Sequence, residues 1–260
     1  MHQTLLLHRM TPTANNFSSI NEFINGSLLL IDKPLGWTSF DVVNKIKGFV
    51  KHTIKIPPNE HGHERRFKIG HAGTLDPLAT GLLVICTGAL TKQIDHLQAG
   101  VKEYTGNIAF GQTTPSYDLE TTPEGAFPTQ HLNLQAISAA ARVLTGELLQ
   151  RPPDFSAKQV GGQRAYKAAR RGERVNLQQV PITVHDFQVL SFESNSASFH
   201  ITCSKGTYIR SLAHDIGQNL GSGSHLTVLR RVASHPFHVN SAITVEALLE
   251  RLAKLQNTTA

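Results

Sequence analysis

Apolar residues recur along this chain with two periods, one typical of strands and one typical of helices. Apolar and polar positions alternate over 199–203 and 226–232, which predicts half-buried strands there. Uninterrupted apolar runs over 27–32 and 81–88, each bounded by turn residues, predict buried strands. A further strand is predicted over 103–110.

Helical periodicity lies between these strands. Thr38 is a predicted N-cap, with Asp41 three residues later in the position of a capping box. The apolar stripe of this helix is formed by Phe40, Val43, Ile46 and Val50. Further helices are predicted over 91–97, 134–149 and 244–255, and one from an N-cap at Thr207 to Gly217 or Gly221.

The order of these elements favours one fold class. Strands and helices are interspersed without a strict βαβ rhythm, and several strand pairs are close enough in sequence to form hairpins. An α+β fold with a mixed sheet is therefore predicted in preference to a doubly wound fold. The 260 residues are 40% hydrophobic and 17% charged, which argues against wholesale disorder.

Several classes of protein lose support from what the sequence lacks. No apolar run approaches the roughly 20 residues of a membrane span, so no membrane partner is expected. There is no Walker sequence, no GxGxxG after a strand and no HExxH. Cys86 and Cys203 form no CxxC pair, and the histidines at 52, 61 and 63 are irregularly spaced for zinc. We therefore expect no cofactor, no metal and a cytoplasmic protein.

Two segments carry little pattern. Residues 1–25 are expected to form a disordered or loosely attached tail, with order beginning at Gly26; import into an organelle is the alternative if residues 1–20 act as a transit peptide. The polar segment 51–67 is predicted to be an inserted loop. The remainder, 26–260, is expected to form one domain.

The positive charge of the chain is clustered. Lys and Arg outnumber Asp and Glu by 25 to 19. Six basic residues and only one acid lie between Lys158 and Arg174, and seven basic residues and two acids lie between Lys45 and Lys68. Such clusters suit a polyanion such as nucleic acid, although a solvated basic face without a partner remains the alternative.

The segment with the clearest chemistry is GHAGTLDPLATGLL, residues 70–83. Pro77 favours an extended backbone at Asp76, and the glycines allow a ligand to approach closely. An isolated Asp-Pro pair is more often a tight turn in which the carboxylate bonds nearby amides. The longer segment, however, resembles the catalytic motif of the TruB-type tRNA pseudouridine synthases.

Further segments strengthen this resemblance, because they occur in the same order as in that family. They are residues 30–36 (LIDKPLG), 102–104 (KEY), 151–158 (RPPDFSAK), 164–172 (RAYKAARRG) and 203–210 (CSKGTYIR). The resemblance spans about residues 26 to 245. It implies the pseudouridine synthase fold, with a mainly antiparallel mixed sheet flanked by helices and a catalytic cleft across it.

The resemblance also implies a reaction. The N1–C1′ bond of a uridine is broken, the base turns, and C5 is joined to C1′. Because the product is an isomer, no redox cofactor, nucleotide or metal is needed. Asp76 matches the essential carboxylate, acting as a nucleophile at C1′ or as a base at C2′. Within the family, the expected substrate is the uridine at position 55 in the tRNA T loop.

Other residues match family positions around that carboxylate. Arg210 matches the arginine that pairs with the aspartate, and a guanidinium within about 4–6 Å favours the ionised carboxylate. Tyr104 is expected to stack on the target base, and Tyr208 to shape the pocket. His71 matches a histidine used in flipping the nucleotide out of the RNA. Three further matches have supporting roles, namely Leu229 as a pocket residue, and Lys33 and Pro34 as structural braces.

An RNA-gripping insertion is expected over 151–180. Its candidate RNA-binding residues are Lys158, Arg164, Tyr166, Lys167, Arg170, Arg171 and Arg174. Many family members carry a C-terminal RNA-binding (PUA) domain, and this sequence is interpreted as a short form without it. The basic segment 51–67 is then expected to add RNA contacts. We expect a monomer with no obligatory protein partner, bound to the T arm and elbow of tRNA.

Three rival functions follow from the same residues. An RNA-folding module would bind tRNA without needing chemistry. A nucleosidase would use the carboxylate to release free uracil. A guide-dependent synthase of the same superfamily would require protein partners and a C-terminal RNA-binding domain, and is therefore disfavoured by the short form.

Overall fold

A computed structural model describes residues 13–54, 56, 66–156, 158–160, 162–173 and 176–259. The chain divides into two compact units. The first consists of Met1–Gly100 with Val232–Ala260, and the second of Val101–Arg231. The domain predicted over 26–260 therefore covers parts of both units.

The described elements follow in chain order. The first half contains α1 (Ile20–Gly26), β1 (Leu28–Lys33), α2 (Ser39–Phe49), a π-helical turn (Val50–Ile54), β2 (Ile69–His71), β3 (Ala79–Thr87), a 3-10 helix (Gly88–Gln93), α3 (Ile94–Gln98) and β4 (Lys102–Phe110). The second half contains α4 (Leu134–Val143), β5 (Gly146–Gln150), β6 (Gln159–Val160), β7 (Gln163–Arg164), α5 (Ala165–Ala169), β8 (Val180–Glu193), β9 (Ser196–Cys203), α6 (Ile209–Asn219), β10 (Ser224–Ser234), β11 (Phe237–His238), a 3-10 helix (Val239–Ser241) and α7 (Val245–Thr259).

The first unit is built on β3, which pairs antiparallel with both β1 and β2. Residues along β1 alternate between two hydrophobic clusters. Leu29 and Ile31 pack on the side of α2 and α7, whereas Leu28 and Leu30 pack on the opposite side with Val239. Both faces of β1 are therefore buried, which explains why its sequence is a continuous apolar run.

The capping box predicted at the start of α2 is confirmed. The Thr38 side chain accepts from the Asp41 amide, and the Asp41 carboxylate accepts from the Thr38 amide at 2.8 Å. The predicted apolar stripe is wrong at Phe40, whose side chain is 64% exposed. Val42 is buried instead, because the helix turns the face of Val42, Val43 and Ile46 toward the core.

The prediction of a loose tail over 1–25 is wrong for residues 13–25, while 1–12 lie outside the described residues. Helix α1 begins after Ser19, which caps the amide of Glu22. Phe17 and Phe23 are buried, with ring centroids 5.2 Å apart. Arg251 of α7 lies over the Phe17 ring at 4.1 Å and donates to the carbonyl oxygens of Asn15 and Phe17, each at 2.6 Å. Sequence periodicity missed these contacts because their partners are more than 230 residues apart.

The predicted loop 51–67 also needs correction at its ends. Residues 51–54 continue α2 as a π-helical turn, and Ile54 and Phe67 are both buried in the core of the first unit. Residues 55 and 57–65 lie outside the described residues.

The second unit contains an antiparallel series of strands in the order β10, β4, β9, β8, β5. The α+β class with a mainly antiparallel sheet is confirmed. The helix predicted over 134–149 is too long. It ends at Val143, because Gly146 adopts a φ of 105° that a helix cannot contain, and Gly146–Gln150 then pairs with β8. Strand β8 itself was not predicted, since its apolar positions are interrupted by bulges.

Within the described residues, no helix is both long and apolar enough to cross a membrane.

The contacts of Arg251 predict that it holds the N-terminal segment in place. Replacing Arg251 by Met removes two hydrogen bonds from a charged donor and the contact with Phe17, while the aliphatic stem is kept. The free energy of unfolding should fall by about 2 kcal/mol, measured by urea denaturation. Amides of residues 13–19 should exchange faster with deuterium.

The exposed neighbour Glu250 provides the control. A Glu250→Ala change should leave the free energy of unfolding within about 0.5 kcal/mol of wild type and the exchange of residues 13–19 unchanged. Unchanged exchange at 13–19 in Arg251→Met would show that α7 does not order this segment.

Candidate active site

Asp76 lies in the loop that joins β2 to β3, and its side chain is half-buried. The loop leaves β2 with the Ala72 amide donating to the Val84 carbonyl at 2.8 Å, and Gly73 then takes a φ of 100°. The Ala79 amide donates to the Asp76 carbonyl at 3.1 Å. Asp76 therefore begins a short turn that ends at Ala79, the first residue of β3.

The backbone on both sides of Asp76 is held by buried polar side chains. The Ser39 hydroxyl accepts from the Leu75 amide at 2.8 Å and donates to the Leu75 carbonyl at 3.2 Å. This hydroxyl belongs to the first residue of α2, so the loop is attached to the helix that follows β1. Sequence reasoning missed Ser39, because a serine next to an N-cap carries no separate signal.

Lys33 holds the other side of the loop. Its side chain is fully buried, and its ammonium donates to the carbonyls of Pro34 at 2.9 Å, Trp37 at 2.5 Å and Pro77 at 3.4 Å. The Gly36 amide also donates to the Pro77 carbonyl, at 2.9 Å. Lys33 and Pro34 therefore lie against the residue after Asp76, and this contact supports their predicted role as braces.

His71 is the last residue of β2 and lies opposite Ile85 of β3. Its side chain is half-buried. It precedes Asp76 by five positions, at the start of the loop that carries Asp76.

The remaining predicted residues belong to the second unit. Tyr104 lies on β4 opposite Ile201 of β9, and its side chain is buried, as is that of Leu229 on β10. Lys102 lies on the same face of β4 as Tyr104. Burial, together with the nearby positive charge of Arg231, lowers the pKa of Lys102 to about 8.

Tyr208 immediately precedes α6, and its backbone is clamped by a buried side chain that sequence reasoning did not single out. The Gln150 amide nitrogen donates to the Tyr208 carbonyl at 3.0 Å, and the Gln150 oxygen accepts from the Tyr208 amide at 2.7 Å. Gln150 lies at the end of β5, a strand absent from the prediction, which explains why it was missed.

Arg210 lies in the first turn of α6, and 3% of it is exposed. Its guanidinium donates to the carbonyl of Ser116 at 3.1 Å and to that of Phe155 at 3.0 Å. Its Nε lies 3.6 Å from the carboxylate of Asp118, which is also buried. The Asp118 carboxylate had no signal in the sequence, because it lies in a loop of residues 111–125 without periodicity.

The described cations among the predicted RNA-binding residues are exposed in the second unit, but part of their charge is paired. Lys158 and Lys167 are exposed. Arg170 forms a salt bridge with Glu120 at 2.6 Å and lies 5.4 Å from the centre of the Tyr166 ring, while Arg171 pairs with Glu173 at 2.7 Å. The Arg164 side chain and all of Arg174 lie outside the described residues.

A second basic feature lies in the first unit. A cavity of about 300 Å³ is lined by Arg66, Lys68 and Lys92, together with the backbone of Gly88 and Ala89. Among the described residues that line it there is no acid, so the cavity suits an anion such as an RNA phosphate. The sequence prediction placed two of these cations at the end of the 45–68 cluster but did not connect them with Lys92.

Among the described residues, no three His, Cys, Asp or Glu side chains are grouped closely enough to hold a metal ion. His61 and His63, considered above as zinc ligands, lie outside the described residues.

Comparisons with known proteins identify the family of this chain. Residues 61–209 match the family model described as TruB family pseudouridylate synthase (N terminal domain), which identifies the class of the protein as a pseudouridine synthase. Residues 210–260 match the model described as tRNA pseudouridylate synthase B C-terminal domain. The chain belongs to the TruB family.

Curated relatives agree with this family. The tRNA pseudouridine synthase B of Flavobacterium johnsoniae is 48% identical over 231 residues, which cover 89% of this chain and 98% of that protein. The protein of the same name from Chloroherpeton thalassium is 44% identical over 231 residues, covering 88% and 92% of the two chains.

Solved structures show the same fold in larger proteins. A chain of a Cbf5-Nop10-Gar1 complex superposes with a TM-score of 0.67 and 26% identity over 92% of this chain. A chain of an H/ACA RNP bound to a substrate RNA containing 2'-deoxyuridine gives a TM-score of 0.64 and 25% identity over 92% of this chain. This chain spans 58% and 57% of those two chains.

The buried ammonium of Lys33 predicts a test of the brace. A Lys33→Met change keeps the stem but leaves three carbonyl oxygens without this donor. The free energy of unfolding should fall by about 2–4 kcal/mol, measured by urea denaturation. The catalytic rate should also fall in conditions where the variant is folded, because the Asp76 loop is no longer held.

The matched control is Lys45→Met on the exposed face of α2, which should change the free energy of unfolding by less than about 0.5 kcal/mol. If Lys33→Met is as stable and as active as wild type, Lys33 does not brace the loop.

Proposed function

We propose that this chain converts uridine to pseudouridine in tRNA, at position 55 of the T loop, with Asp76 as the catalytic carboxylate. The observation that carries the proposal is the Asp76 loop, a family motif held rigidly by Lys33 and Ser39. Its support from relatives is the 48% identity to a tRNA pseudouridine synthase B over nearly that protein's whole length.

The reaction balances without any added group. The N1–C1′ bond of uridine breaks, the uracil ring turns, a C5–C1′ bond forms, the C5 proton is released to the solvent, and N1 takes up a proton. Asp76 acts at the ribose, either by attack of its carboxylate on C1′ or by removal of the C2′ proton. Either route requires an ionised carboxylate near the ribose, and the hydrogen bonds from Lys33 and Ser39 hold the loop that carries it.

The other predicted residues are assigned roles around this centre. Tyr104 stacks on the target base, and Tyr208, clamped by Gln150, shapes the pocket that receives it. Arg210 stabilises the ionised form of the catalytic aspartate. Its three contacts with Ser116, Phe155 and Asp118 hold the guanidinium in one orientation. Leu229 supplies apolar surface against the base.

A uridine inside a folded T loop must leave its stack before it reaches a carboxylate. This costs a few kcal/mol, which binding energy to the RNA offsets. His71, at the edge of the Asp76 loop, is proposed to occupy the space that the flipped nucleotide leaves. Exposed cations of 151–180 and of the basic cavity provide the RNA contacts, mostly to phosphates and to helix shape.

The enzyme is proposed to act alone, as a monomer in the cytoplasm. The named relatives at 42–48% identity are tRNA pseudouridine synthases B, whereas the structural neighbours from multi-protein complexes are only 25–26% identical. A stand-alone enzyme is therefore favoured over a guide-dependent one.

The decisive test is release of tritium from a tRNA transcript labelled at uridine C5. Wild type should release tritium without free uracil, and Asp76→Asn should lose activity by at least about 10³-fold, because the carboxylate takes part in bond breaking. Circular dichroism and tRNA binding should be nearly the same for the two proteins.

Each alternative outcome identifies a rival. Free uracil would indicate a nucleosidase. Tight tRNA binding by a folded wild-type protein without tritium release would point to an RNA-folding module, and refolding of tRNA by Asp76→Ala would then be measured directly.

The basic cavity predicts the salt dependence of tRNA binding. Replacing Arg66 and Lys92 together by Ala should weaken binding and reduce the slope of log K against log salt by about 1–2, because up to two phosphate contacts are lost. Filter binding at several salt concentrations measures this slope.

An Arg142→Ala variant, at the exposed end of α4, removes a cation outside the cavity and should leave the slope unchanged. Equal slopes in all three proteins would exclude the cavity from the RNA interface.

A further inference from the structure

The loop that holds Arg210 contains a conformation that non-glycine residues rarely adopt. Tyr117 has a φ of 64°, in the left-handed region. Its two sequence neighbours both contact Arg210, since Ser116 accepts a hydrogen bond through its carbonyl and Asp118 pairs through its carboxylate. The left-handed backbone at Tyr117 therefore lies between the Ser116 carbonyl and the Asp118 carboxylate, which both contact the Arg210 guanidinium.

The Tyr117 backbone is bonded on both sides. Its amide donates to the Thr114 carbonyl at 3.1 Å, and its carbonyl accepts from the Leu226 amide at 2.9 Å. The Ser116 hydroxyl donates to the Asp118 carbonyl at 3.0 Å, across the same turn. These bonds shape the turn, but a tyrosine in the left-handed region still costs on the order of 1 kcal/mol and needs further support.

That support is a ring contact with α6. The Tyr117 ring stacks on the ring of His214, with centroids 3.9 Å apart and planes inclined by 15°. His214 follows Arg210 by four residues on the same helix, so the two side chains lie on the same helical face. One turn of α6 thus carries both the Arg210 guanidinium and the His214 ring, and the His214 ring contacts the 116–118 segment through Tyr117.

The chemistry of the two rings suits a stable stack. Burial lowers the pKa of His214, and the charge of Arg151 lowers it further. Burial raises the pKa of Tyr117. Both rings are therefore neutral near pH 7, and Arg151 also forms a side-chain hydrogen bond with Tyr117.

We propose that Tyr117 and His214 are positioning residues for the isomerisation: their stacked rings hold the 116–118 turn in the conformation that directs Ser116 and Asp118 at Arg210. Neither residue touches the substrate. They act through the guanidinium, so the inference rests on the proposed function and on the role given there to Arg210.

The test compares variants of His214 that differ in whether they keep a ring. His214→Leu keeps apolar volume without a ring, and His214→Phe keeps the ring. Single-turnover rates are measured with saturating enzyme on C5-labelled tRNA, and Kd is measured by filter binding. His214→Leu should lower the rate by about 3- to 10-fold at unchanged Kd, and His214→Phe should stay within about 2-fold of wild type.

The control is Phe192→Ala, which removes a different aromatic pair of the same unit. In that pair the ring centroids of Phe192 and Phe110 are 6.0 Å apart. It should lower the midpoint of urea denaturation but leave the single-turnover rate of the folded protein unchanged. If His214→Leu and Phe192→Ala both lose rate in proportion to their loss of stability, the positioning role is contradicted.

Two further results complete the test. Equal rates for His214→Leu and wild type, or equal losses for His214→Leu and His214→Phe, would overturn the inference. If His214→Leu does not fold, Tyr117→Leu and Tyr117→Phe provide the same ring-lacking and ring-keeping pair. An inactive wild type would instead contradict the proposed function itself, so the two failures are distinguishable.

Discussion

The burial of both faces of the β1–β3 pair is the constraint on which the Asp76 loop depends. Each strand is apolar and buried on both sides, so a shift in register would disturb the packing on both faces and leave backbone groups at the strand ends unpaired. The register places Lys33 opposite Gly81, five residues after Asp76. In this register the Lys33 ammonium reaches the Pro77 carbonyl. The position of the Asp76 loop therefore depends on the packing of the strands beneath it.

The same physical solution recurs in the second unit, where backbone groups hold functional side chains. Tyr208 is held through its main chain by the Gln150 amide, and the Arg210 guanidinium is bonded to two carbonyls as well as to Asp118. Backbone groups of a packed protein move less than side chains, so they fix orientation well. A buried guanidinium also needs several acceptors, because its desolvation is costly when donors are left unsatisfied.

Much of the secondary structure was predictable, and the failures have physical causes. The strands around 27–32, 81–88 and 103–110 were predicted because burial of one or both faces leaves a clear pattern. The helix predicted over 134–149 was too long, since the apolar spacing continues after Gly146 although its backbone leaves the helical region. Residues 13–25 were read as a tail, because Phe17 and Phe23 pack on α7, which comes at the other end of the chain.

The sequence by itself determined the chemistry. The motif of residues 70–83 and its ordered satellites identified the family, and through that resemblance they supplied the roles proposed for Asp76, the tyrosines and Arg210. Only the tertiary structure revealed what holds them. Ser39, Gln150, Asp118 and the Tyr117–His214 stack carry no sequence signal, since a supporting contact depends on which residues folding brings within about 3–4 Å, and distance along the chain does not record it.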